Sequence, residues 1–177
     1  VKPHIDFLKS LDACDEAVDW AEQFDDSQTA WDACERADWM VWLMAYTVIG
    51  APWSDARRPF VLAACECARL PLRYVPAHEH RPRIAIECAE SWARGEHDDR
   101  KRIDEAARAA AAVASWGAMA WYVRVAAPWG ARDWLAAFLL AGAEPSTIRA
   151  CAVIVRRHYP VSPDRMLLNS QEEKGVA

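Results

Sequence analysis

Apolar positions recur along almost the whole chain at intervals of three and four residues, the period of an α-helix, and no β-branched two-residue alternation competes with it. The spacing predicts a first helix over about residues 12–24. Ala13, Ala17, Trp20 and Ala21 form one face there, and Asp15, Glu16, Asp19 and Glu22 the other. Ser27 can cap a second helix, 28–36, and Asp38 a third, 39–48. Trp39, Met40, Trp42, Leu43 and Tyr46 leave that third helix almost no polar face, which places it in the core. Gly50-Ala51-Pro52 breaks the pattern. Proline is tolerated only in a first turn, so Pro59 starts a fourth helix near Arg58, and Pro71 ends it.

The segment 72–81 reads as a loop. Pro82 and Gly95 bound a fifth helix, with Ile84, Cys88 and Trp92 as its apolar stripe and Arg83–Glu87 and Glu90–Arg94 as i,i+4 pairs on the wet side. A long Ala-rich sixth helix is expected over 98–126, charged in its first half and carrying Trp116, Met119, Trp121 and Tyr122 in its second. A seventh follows over 131–140. An eighth, 146–158, has Ile148, Cys151, Ala152 and Val155 as its inner face. The expected fold is therefore all-α: one compact bundle of seven or eight helices around a long Ala-rich central helix. A single domain would span 1–160, with an acidic, Trp-rich lobe at 1–50, a helical body at 54–159 and a polar, frayed tail at 161–177.

Composition supports a folded domain. Of 177 residues, 53% are apolar and 27% charged, a globular rather than a disordered balance. The longest apolar stretches are broken by Arg or Asp before they reach 18 residues, so no membrane span is expected. The opening segment has no apolar stretch of signal-peptide type, and the six cysteines lie among helix formers rather than in a disulfide framework. The expectation is a reduced, cytoplasmic protein.

Charge adds a feature that the periodicity does not contain. Residues 1–38 hold eleven carboxylates against Lys2, Lys9 and Arg36, a net −8, whereas the rest of the chain is +3. An acidic helical lobe on a near-neutral body suggests docking onto something basic. Asp15, Glu16, Asp19, Glu22, Asp25, Asp26, Asp32 and Glu35 are the candidate contacts, and Trp20 and Trp31, set among them, the candidate aromatic anchors. The bland alternative is that both indoles staple short helices to the body. Overall acidity, with a pI near 5.5, argues against direct binding of nucleic acid even though arginines cluster between 57 and 94.

Catalytic chemistry finds little support. Cys65-x-Cys67 resembles a metal-ligand pair, but side chains two apart on a helix diverge by about 200°, so core thiols are the expectation. His78 and His80 flank Glu79 on the 72–81 loop and would be the centre of a metal-dependent enzyme, the last-ranked alternative. Cys151 and His158 are two helical turns apart, too far for a thiolate–imidazole pair. No nucleophile elbow, phosphate loop or dinucleotide fingerprint occurs. Neither a cofactor nor a metal is expected.

The run from Glu79 to Glu96, with Arg81-Pro82-Arg83, Ala85-Ile86-Glu87, Trp92 and Gly95-Glu96 followed by the Ala-rich stretch from Ala106 to Ala120, resembles the immunity-protein-five-like family. The likeness extends over about residues 58–158. The segment from Ala30 to Leu43 is similar to bacterial and phage proteins that join such an acidic-aromatic piece to the same C-terminal part. Related Ala-rich helices often contain a histidine; 106–120 here has none. The resemblance implies an all-helical fold and a non-enzymatic inhibitor that binds and silences a toxin. The alternative it leaves open is a phage-encoded, anti-CRISPR-like inhibitor whose acidic face imitates a phosphate backbone.

Overall fold

The computed structural model describes residues 2–47, 51, 53–112 and 144–167. Within them the fold is all-helical, a single compact domain with eight α-helices and no strand. In chain order these are α1 (Pro3–Ser10), α2 (Asp15–Ala21), α3 (Ser27–Ala33), α4 (Ala37–Thr47), α5 (Arg58–Arg69), α6 (Arg81–Ala93), α7 (Arg100–Ala112) and α8 (Pro145–His158). Short 3₁₀ turns, Asp55–Arg57 and Leu70–Tyr74, bracket α5. Expectations for 113–143, including the second half of the long helix and the helix at 131–140, lie outside the described residues.

Proline and glycine set the boundaries that the sequence predicts best. Pro59, Pro82 and Pro145 stand in the first turns of α5, α6 and α8. Gly95, at φ +76°, takes the left-handed conformation that closes α6. Asp26, rather than Ser27, caps α3: its carboxylate accepts from the Gln28 and Thr29 amides at 2.8 and 3.1 Å. Asp38 is not a cap but lies inside α4, buried against Arg36.

Two apolar cores result. The main one joins α3 to α8 through Trp31, Met40, Met44, Phe60, Ile86, Trp92, Ile103, Cys151 and Val155. α5 packs against α6 and α8, α6 against α7, and α8 also against α4. A satellite core holds α1 to α2 through Ile5, Val18 and Ala21, with Leu8, Ala13 and Trp20 against it.

The inner face of α6 departs from the expected stripe. Ile84 is exposed and Cys88 half-buried, while Ala85, Ile86, Ala89 and Ala93 join Trp92 inside. Glu90, expected on the wet side, is only 8% exposed. Arg69 reaches it from α5 with two 2.8 Å bonds and Arg94 adds one of 2.7 Å. These donors, Arg69 first, hold the Glu90 carboxyl below the ordinary glutamate range against the opposing effect of burial.

The chain also does not fray at Pro160. Ser162 is 2% exposed and residues 163–167 are helical. Gln28 on α3 clamps this segment, its amide donating to the Pro160 carbonyl and accepting from the Ser162 N–H, both at 2.9 Å.

Candidate functional site

The acidic lobe is built on α1, α2 and α3. α1 begins at Pro3, a good N1 residue, with Asp6 in the first turn and Lys9 in the last, where each favours the helix dipole. Lys2 donates to the Glu22 and Phe24 carbonyls at 2.9 and 2.6 Å, covering the exposed end of α2. Asp12, at φ +57°, turns the chain between α1 and α2. Aspartate visits this left-handed region more readily than most residues.

On α2, Val18 and Ala21 point inward, and Asp15, Glu16, Asp19 and Glu22 are all exposed. Asp15, Asp19 and the C-cap Glu22 follow each other at i,i+4 and i,i+3 along one face, with Glu16 at its edge, so these four carboxylates form a continuous outer surface. The lobe's own cations neutralise only part of its charge. Arg36 bridges Glu16 at 3.1 Å and Asp38 at 2.7 Å, Lys9 meets Glu22 at 3.5 Å, and Lys2 lies 3.8 Å from Asp25. Asp6, Asp12, Asp15, Asp19 and Glu35 have no ion-pair partner among the described residues.

The other expected contacts serve the protein's own chain. Trp31 is 4% exposed, and its indole N–H donates to the Tyr159 carbonyl at 2.8 Å. It is a core residue and not an anchor on the outer acidic face. Asp26 caps α3 and meets Arg165 at 3.1 Å, and Asp32 accepts from the Gln28 amide at 2.9 Å, which orients the clamp on Pro160 and Ser162. Asp26 is held below the usual carboxylate range chiefly by the Thr29 amide and hydroxyl. Arg156 adds a donor to the Cys34 carbonyl, closing the end of α3 from the α8 side. The outward face of α3 is thus largely a landing place for residues 156–165.

Between the satellite core and the main core lies a half-open cavity of about 330 Å³. Its walls are Phe7 and Leu8 of α1, Ala17 and Trp20 of α2, Ala30 and Trp31 of α3, and Trp39, Met40, Trp42 and Leu43 of α4. Trp20 stands at its junction with the acidic face, half-buried, with its ring 4.7 Å from that of Phe24 and 5.7 Å from that of Trp39. The Arg36 guanidinium lies 4.2 Å over the Trp39 ring, so a cation–π contact already operates at this edge. Cys34 lines the wall as a neutral thiol, burial raising it to about 11. Asp12, Asp38 and Asp164 also line the cavity, and no Lys or Arg does.

No protein-family model, no curated protein and no solved structure matches this chain.

The 72–81 loop lacks the makings of a metal centre among the described residues. His78 and His80 are exposed, and no group of three His, Cys, Asp or Glu side chains converges there or elsewhere among those residues. Glu79 instead bonds the Arg81 guanidinium and backbone N–H, a brace at the start of α6 that lowers its carboxyl to about 2. A carboxylate held ionised in this way is not a proton donor at neutral pH. Cys65 and Cys67 are 0% and 1% exposed, as their helical spacing predicts for core thiols. Both thiols are raised, Cys65 by burial and Cys67 by its hydrogen bond with Cys151 and then by burial.

The cavity itself is the feature that the sequence did not reveal. Its one signal was the nearly all-apolar α4, whose Trp42 and Leu43 remain only half-buried after the bundle has closed. Among the described residues, no helix is long and apolar enough to cross a membrane.

Proposed function

We propose that this chain is a non-enzymatic, protein-binding inhibitor of the immunity type, which neutralises a basic effector through its N-terminal lobe. The observation that carries the reading is a juxtaposition: the carboxylate face of α2 borders an aromatic-walled cavity. Apolar contact inside a charged rim is the usual anatomy of a protein-binding surface. Asp15 and Asp19, without ion-pair partners among the described residues, and Glu22 project a field that attracts a basic surface. The half-buried Trp20 supplies contact area once the two surfaces meet.

Steering by such a face acts on encounter more than on lifetime. Capture of the partner from the native host, followed by stopped-flow association, tests it. Association slows markedly as salt rises through the physiological range. The triple change Asp15→Asn, Asp19→Asn, Glu22→Gln lowers the on-rate by about tenfold and changes the off-rate far less. Salt-independent association refutes the reading. Competition with DNA or RNA for the captured partner separates occlusion of a toxin's active site from imitation of a phosphate backbone by an anti-defence protein.

A further inference from the structure

The cavity between the two cores has a composition that goes further than the acidic face. Its walls are aromatic and aliphatic, so an occupant must present an apolar body. Its charged lining is one-sided: Asp12, Asp38 and Asp164 with no Lys or Arg, and the buried His4 imidazole there lies 3.4 Å from the Ala21 carbonyl. Arg36 answers Asp38, and Asp12 has no ion-pair partner among the described residues. A volume of about 330 Å³ lies near the lower end of the range for small-ligand pockets, roughly 300–1,000 Å³. That suits one bulky side chain and the stem of a neighbour rather than a large cofactor.

We infer that the cavity receives a single bulky apolar side chain, flanked by Lys or Arg, from the basic protein partner. The inference rests on the protein-binding reading and names what that partner must present. The apolar body displaces water from the faces of Trp20, Trp39 and Trp42, and the flanking cation meets Asp12 at the α1–α2 turn.

The test uses the full-length chain and blocked tripeptides: Lys-Phe-Lys, Ser-Phe-Ser, Glu-Phe-Glu and Lys-Ala-Lys. Binding is followed through the indole N–H resonances. Lys-Phe-Lys is expected to shift those of Trp20, Trp39 and Trp42 and to bind at least tenfold tighter than each of the others. Asp12→Asn keeps a residue that tolerates the left-handed turn and reduces the advantage of Lys-Phe-Lys over Ser-Phe-Ser two- to threefold. Ala17→Phe fills the cavity and abolishes binding of all Phe peptides, with a native melting profile as the control on folding. Equal binding of Lys-Phe-Lys and Glu-Phe-Glu overturns the inference, as does tighter binding of free 2-phenylethylamine than of Lys-Phe-Lys, which marks a small-molecule site. The two proposals fail separately: loss of peptide discrimination leaves the salt-dependent on-rate untouched, and loss of steering leaves the indole shifts untouched.

Discussion

Changing Glu90→Gln removes one charge from the α5–α6 contact while keeping the side chain's shape. The side chain is 11% exposed and its carboxylate accepts three short bonds, two from Arg69 and one from Arg94. Removing one partner of a buried ion pair costs about 3–5 kcal/mol. The full penalty does not apply here, because the Arg69 and Arg94 side chains keep 40% and 47% of their surface in water. Both guanidinium groups are rehydrated once the charge is gone, which brings the cost to about 2 kcal/mol. For a chain of 177 residues this is a fall of about 4–8 °C in Tm.

Equilibrium urea unfolding of the two proteins at neutral pH measures the difference directly. A pH series gives the second arm. The folded-state carboxyl lies below its unfolded value, so its stabilisation is fully present above the ordinary glutamate pKa of about 4.3. It is lost as pH falls through the depressed folded value. The gap between wild type and Glu90→Gln therefore closes in strong acid. A loss under about 0.5 kcal/mol at neutral pH, the scale of an exposed pair, or a gap that does not depend on pH, refutes the account of Glu90 as a buried clamp.

Gly95→Ala strains a backbone at φ +76° and sets a new Cβ 2.9 Å from the Arg58 guanidinium. It costs about 1–2 kcal/mol, read by thermal melting, and an unchanged Tm contradicts the αL closure of α6. Of the cysteines, Cys14 alone is exposed, Cys88 is half-buried, and Cys34, Cys65, Cys67 and Cys151 are buried. An aromatic disulfide reagent at mildly alkaline pH therefore titrates Cys14 promptly and the four buried thiols only on unfolding; prompt reaction of more than two thiols contradicts the packing of α5 against α8.

Local chemistry carried the helix ends, and tertiary reach hid the rest. α5, α6 and α8 were legible because Pro59, Pro82, Gly95 and Pro145 act within one turn of where they stand. α1 was not, because so short a helix is held by packing and by Lys2 on the end of α2 rather than by its own propensity. The i,i+4 spacing of Glu90 and Arg94 reads as an exposed pair until Arg69 arrives from another helix. Trp31 looked like a surface anchor because its neighbours in sequence are acidic. Its neighbours in space are the Tyr159 carbonyl and the main core. A cavity is what side chains fail to fill, so the residue pattern hints at it only through the surplus of apolar positions on α4. The carboxylate face of α2, by contrast, needed only helix geometry.

The grip of α3 on the end of the chain bears on how the protein is made. Gln28 and Ser162 are 134 residues apart, an interval of roughly 7–27 s at a translation rate of about 5–20 residues per second. Throughout that time the nascent acidic lobe lacks the residues that cover α3 and the Asp164 side of the cavity. A message broken before that point yields a product without the Gln28 clamp and without the Asp164 wall of the cavity. The grip therefore closes only after the ribosome has carried the chain through residue 165.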